Sequence, residues 1–90
     1  MGDLTAITGP FVARAAARGL RPPVRLLEQD ARAWELLRRD DALLLLDEFG
    51  DLWWGRELRG PHAIVDRPLW PEERDSLASH IAVALARVDG

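Results

Sequence analysis

Cysteine, lysine, asparagine and tyrosine are all missing from this chain of 90 residues. Without cysteine there is no disulfide framework, no thiolate nucleophile and no sulfur-based metal site. Lysine, asparagine and tyrosine share AT-rich codons, so their joint absence points to a GC-rich bacterial genome. That all twelve basic residues are Arg then needs no special task for arginine, whose advantages apply at particular sites. Apolar runs such as Ala42 to Leu46 are far too short to span a bilayer. The opening, Met-Gly-Asp-Leu-Thr-Ala-Ile-Thr, has no basic segment followed by an apolar one, so no secretory signal is read. A soluble, cytoplasmic protein of one domain over 1–90 is expected, with no membrane partner and a loose start over 1–8.

Chemical motifs are equally sparse. No Gly-x-Ser-x-Gly elbow and no Gly-rich phosphate loop occurs. Ser76 and His80 lie one helical turn apart, but nothing places oxyanion donors beside them. His62 and His80, with Asp66, Glu72 and Glu73, lack the tight spacing that organises a metal. Asp75-Ser76-Leu77 is similar to the tripeptide around the attachment serine of acyl carrier proteins. Here it falls inside a continuous helix without the preceding glycine, so no carrier role follows. No catalytic residue, metal or cofactor is assigned, and no enzyme is expected.

What is present is a hydrophobic content of 48% with four Trp, enough for a folded core. The net charge of −3 is unevenly spread. Residues 10–39 carry seven Arg against three acids, whereas residues 40–90 carry five Arg against eleven acids. Solvated faces that neutralise one another in the fold are the simplest reading of that asymmetry.

Thr8-Gly9-Pro10 suits the opening of a helix, and Gly19-Leu20 suits its left-handed cap. Pro22-Pro23 breaks the chain before a short strand over 23–28. Asp30 then suits the N-cap of a helix over 30–39, with Ala31, Trp34 and Leu37 or Arg38 near one face and Trp34 in the core. Residues 43–57 read as a hairpin, in which Leu43 to Leu46 is buried on both faces and Gly50 supplies a positive φ. His62 to Asp66 reads as the next strand. Pro71 begins a final helix over about 71–88, with Leu77, Ile81, Ala84, Leu85 and Val88 as its apolar stripe. Trp70 occupies the cap position and is expected to staple onto that helix. The expected fold is α+β: a small antiparallel three-strand meander, with a fourth short strand in reserve and helices on one face. The order is α-(β)-α-β-β-β-α.

Trp53 and Trp54 are consecutive in a strand and must face opposite sides of the sheet. If one side of that sheet is open, one indole is left for a partner. The preferred reading is therefore a non-catalytic protein-interaction module, such as an accessory or regulatory subunit, an immunity-type inhibitor or a self-associating adaptor. Its contact patch is Trp53 or Trp54 with Arg56, rimmed by Asp47, Glu48, Phe49 and Asp51, and its partner is another protein or a second copy in a homodimer. The alternative is a winged-helix-like DNA-binding regulator that uses Arg14, Arg18, Arg21, Arg25 and Arg32. Against it stand the acidic tip of the supposed wing and the paired prolines where a reading helix would begin.

Overall fold

A computed structural model of the chain describes residues 4–89. Helix α1 (Thr5–Ala17) is followed by strands β1 (Val24–Leu26), β2 (Ala31–Arg39), β3 (Ala42–Asp47), β4 (Leu52–Glu57) and β5 (His62–Pro68), and then by helix α2 (Pro71–Asp89). The α+β class holds, but the sheet is not an open three-strand meander. All five strands pair in sequence order, and β1 then pairs with β5, closing a small barrel. Four antiparallel steps leave the first and last of five strands running the same way, so the closing pair is parallel. It is held by Arg25 N–H to Pro61 O at 2.8 Å and Leu27 N–H to Ala63 O at 3.0 Å.

The second correction is the helix expected over 30–39, which is strand β2. Its register with β3 shifts between Glu35 and Leu37. Such a bulge places an extra residue in one strand, so Trp34 and Leu37, three apart, both turn toward the helices. Trp34 lies opposite Leu46 and Leu37 opposite Leu44, and all four belong to the same apolar cluster. Asp40 and Asp41 form the tight turn into β3, with Asp40 at φ 54°. The carboxylate side chain of Asp makes it one of the few residues that tolerate that conformation.

Helix α1 starts before Gly9-Pro10, which lie on its exposed side. Buried Leu4 and Thr8 anchor the first turn, where the Leu4 carbonyl accepts both the Thr8 amide (2.8 Å) and its hydroxyl (2.9 Å). The helix thus covers part of the segment expected to be loose, while residues 1–3 of it lie outside the described residues. At the other end the Gly19 and Leu20 amides close back onto the Ala16 and Ala15 carbonyls, with Gly19 at φ 69°. This is the left-handed cap that the sequence announces.

Two apolar layers result. Outside the barrel, α1 and α2 bury Phe11, Ala15, Leu77, Ile81 and Leu85 against Trp34, Leu36, Leu44, Leu46 and Trp54. Phe11 meets Trp34 edge-on, with centroids 5.0 Å apart. Inside, Leu26, Leu43 and Leu45 interdigitate with Ala31, Ala33 and Ala63. A barrel this narrow needs small residues between large ones. Val88, expected in the stripe of α2, is exposed. No described helix is long and apolar enough to cross a membrane.

Candidate interaction surface

The two indoles of β4 do diverge, as extended geometry requires. Trp54 is only 7% exposed and joins the layer beneath the helices. Trp53 is half-buried against the barrel interior, and its Nε1–H donates to Asp47 Oδ2 at 2.9 Å. The face opposite the helices is therefore not open: the sheet has curled to cover it.

Asp47 is itself buried and organises the turn after β3. Its Oδ1 accepts the amides of Phe49 and Asp51, each at 2.9 Å, and its own amide donates to the Asp51 carbonyl. An Asp at the first turn position does this because its short carboxylate reaches amides two and four residues ahead. Gly50 has the positive φ expected of it, at 93°. This scaffold holds Phe49 outward, 73% exposed, between the exposed carboxylates Glu48 and Asp51.

A second rigid node lies at the start of α2. Glu73, the third residue of that helix, accepts the Trp70 amide at 3.0 Å, which is half of a capping box. The same carboxylate accepts both guanidinium nitrogens of Arg67 at 2.7 and 3.0 Å, and the Trp54 indole N–H at 3.1 Å. The Arg67 bond is the chief cause that holds the Glu73 carboxyl down at about 2; the Trp70 amide and Trp54 indole add to it against the opposing effect of desolvation. The Arg67 guanidinium is raised in turn, chiefly by its bond to Glu73. Arg67 also lies 3.8 Å over the Trp70 ring, within cation–π range. Trp70 is thus not folded down as a staple. Leu69 fills the core, and Trp70 stays 52% exposed under its arginine.

Register brings these features to one end of the barrel. Leu69 N–H donates to Leu52 O at 3.0 Å, so Trp70 flanks the strand that leaves the Phe49 turn. Arg56 does not join them. It pairs with Ala42 beside the Asp40-Asp41 turn, at the far end of β4, and binds Asp66 at 3.2 Å. Of the residues expected in one patch, Glu48, Phe49 and Asp51 are thus exposed together, Asp47 and Trp53 support them from below, and Trp54 and Arg56 lie elsewhere. Arg67 and Trp70 are additions. The Pro-Glu-Glu start of α2 already hinted at a carboxylate reaching back to residue 70, whereas Arg67 needed the cross-strand register, which sets it opposite Trp54.

The arginines of the first half divide into two groups. Arg14 and Arg18 both bind Asp89, at 2.8 and 3.1 Å, tying the end of α1 to the end of α2. Arg21, Arg25 and Arg32 instead line a shallow cleft near the Phe49 turn. The strand β2 occupies the place of the helix that a winged-helix layout would use for reading.

Ser76 and the histidines do not assemble into a constellation. The Ser76 hydroxyl donates to the Glu73 carbonyl, and His62 Nδ1 lies 2.9 Å from the Arg59 carbonyl. Among the described residues no three potential ligands cluster around a metal position. A scan against protein-family models finds no match, and searches of curated proteins and of solved structures likewise return none.

Proposed function

We propose that this chain is a non-catalytic protein-interaction module whose contact surface is the barrel end bearing Phe49 and Trp70. The observation that carries the reading is the exposure of two large aromatic side chains, 73% and 52%, on backbone that is already held in place. Trp and Arg dominate binding hot spots, and Arg67 stacked on Trp70 supplies that pair ready-made. Asp47 and Glu73 fix the two segments before any partner arrives, which lowers the ordering cost of association. Glu48, Asp51, Glu72 and Arg67 give the patch a charged rim. The partner is a second protein or another copy of this chain, and the role is that of an accessory, inhibitor or adaptor.

The test uses the full chain as bait against an extract of the source cell, together with light scattering of the purified protein. Binding or self-association should be lost in Phe49→Ser and in Trp70→Ala, with the folded state intact in both. Should the partner bind these variants as tightly as the parent, the surface has been assigned to the wrong place. A DNA-binding role draws on Arg21, Arg25 and Arg32 alone, since Arg14 and Arg18 are engaged by Asp89. Absence of binding to random duplex DNA at low salt retires that alternative.

A further inference from the structure

Arg25 of β1 and Arg32 of β2 are direct cross-strand partners. Like charges in that relation repel and weaken a sheet. Arg21 lines the same cleft, a hollow of about 170 Å³ completed by Asp30, Ala31 and Glu48. Five arginines elsewhere in the fold have found carboxylates: Arg14 and Arg18 with Asp89, Arg38 with Glu35 and Glu57, Arg56 with Asp66, and Arg67 with Glu73. Among the described residues the cleft arginines form no such pair, as is also true of Arg39, Arg59, Arg74 and Arg87; what sets the three apart is that they converge on one hollow. Arg32 makes one bond, to the Pro22 carbonyl at 3.3 Å, and neither Asp30 nor Glu48 forms an ion pair with any of the three. The turn joining the two strands is also held in an unusual conformation, with Glu28 at φ 75° and Asp30 at φ 46°.

From this convergence we infer that the cleft between Arg21, Arg25 and Arg32 binds one compact oxyanion of the phosphate or carboxylate class. Guanidinium forks match the paired oxygens of such a group, and a bound anion removes the repulsion between Arg25 and Arg32. The hollow has room for a group of that size. Asp30 and Glu48 line the same hollow and offset two of the three arginine charges, so the surplus of one positive charge suits a single anionic group better than the repeated charges of a nucleic-acid backbone. The inference does not rest on the aromatic contact surface, although Arg32 lies beside it: the Arg32 carbonyl accepts the Glu48 amide at 3.1 Å.

Titration of the purified chain with inorganic phosphate, at ionic strength matched with chloride, tests the site. The readout is the Nε–H resonances of the arginine side chains by NMR. Saturable shifts confined to Arg21, Arg25 and Arg32 are expected, with affinity in the millimolar range. The double variant Arg25→Gln/Arg32→Gln should bind at least about tenfold more weakly. Arg25→Gln alone should melt no lower than the parent without phosphate, because one half of a repulsive pair has gone. Two further ligands separate the sources: tighter binding of a phosphoserine or glutamate peptide than of phosphate places the anion on a partner, and the reverse order makes it a free ion. Phe49→Ser should bind phosphate as the parent does, so the site and the aromatic surface can fail separately. Non-saturating shifts, or equal shifts at Arg59, Arg74 and Arg87, mean an adventitious ion only and overturn the inference.

Discussion

Glu73 ties three elements of this fold together. One carboxylate joins β4 through Trp54, β5 through Arg67 and the start of α2 through the Trp70 amide. Its folded pKa, about 2, lies below its ordinary 4.5, so it stabilises the fold fully above the ordinary value. That contribution drains away as pH falls from 4.5 toward 2. Glu73→Gln should therefore cost about 1–2 kcal/mol at neutral pH, by loss of the charge behind its hydrogen bonds to Arg67, since a Gln oxygen can still accept the Trp70 amide. Melting curves of parent and variant should converge as the pH is lowered through that window, and a constant gap would contradict the assignment. Two glycines give opposite outcomes on replacement by Ala. A Cβ at Gly55 would run into the carbonyl oxygen of Ile64 and come within 3.0 Å of Leu45 Cδ1. Backbone cannot yield there, so Gly55→Ala should destabilise by about 1–3 kcal/mol in urea unfolding. At Gly9, inside α1, nothing stands within 4 Å of the new methyl. Gly9→Ala should gain no more than about 0.5 kcal/mol, because the helix propensity of Ala is opposed by the Pro10 ring, which disfavours a Cβ on the helical residue before it.

Elements with a single period were legible in the sequence, and those that mix two periods were not. Helix α2 repeats its apolar residues at helical spacing from a proline start, and the hairpin of β3 and β4 has two apolar runs around an Asp-to-Gly turn. Strand β2 carries a bulge, and its extra residue turns an alternating pattern into the three-residue spacing of Trp34 and Leu37. Asp30 at positive φ then passes for a helix cap. The same limit applies to the contact surface. Phe49 was visible because it sits on a turn, but the Arg67–Trp70 stack depends on register and on Leu69 taking the buried place. Within the hairpin, Asp47 is the residue on which the element depends. Asp47→Ala strips acceptors from the Phe49 and Asp51 amides and from the Trp53 indole. A loss of about 1–3 kcal/mol is expected, with the Trp53 indole proton resonance moving and the turn amides exchanging faster with solvent. If those amides stay protected, something other than Asp47 orders the turn.

Closure of the barrel belongs to the whole molecule and left only a faint trace in the sequence, in the small residues Ala31, Ala33, Gly55 and Ala63. It depends on a three-residue strand, β1, meeting β5 from across the chain. A three-residue strand contributes little by itself, so the closed sheet relies on the helices packed outside it. Phe11 is the deepest contact of α1, 2% exposed and set edge-on against Trp34 of β2. A fold of 90 residues has a total stability of about 5–13 kcal/mol at the usual yield per residue. Truncating a buried Phe typically costs about 3–5 kcal/mol, a large part of that total. Phe11→Ala should therefore lower the urea midpoint steeply and weaken the whole barrel, not α1 alone. Amide exchange makes the distinction: protection in β2 and β5 should fall together with protection in α1. Val83→Ala, on the exposed face of α2, serves as the control and should stay within about 0.5 kcal/mol of the parent. If Phe11→Ala frays the helix and leaves β2 and β5 fully protected, the barrel is stable without its outer layer, and the dependence argued from its short closing strand is wrong.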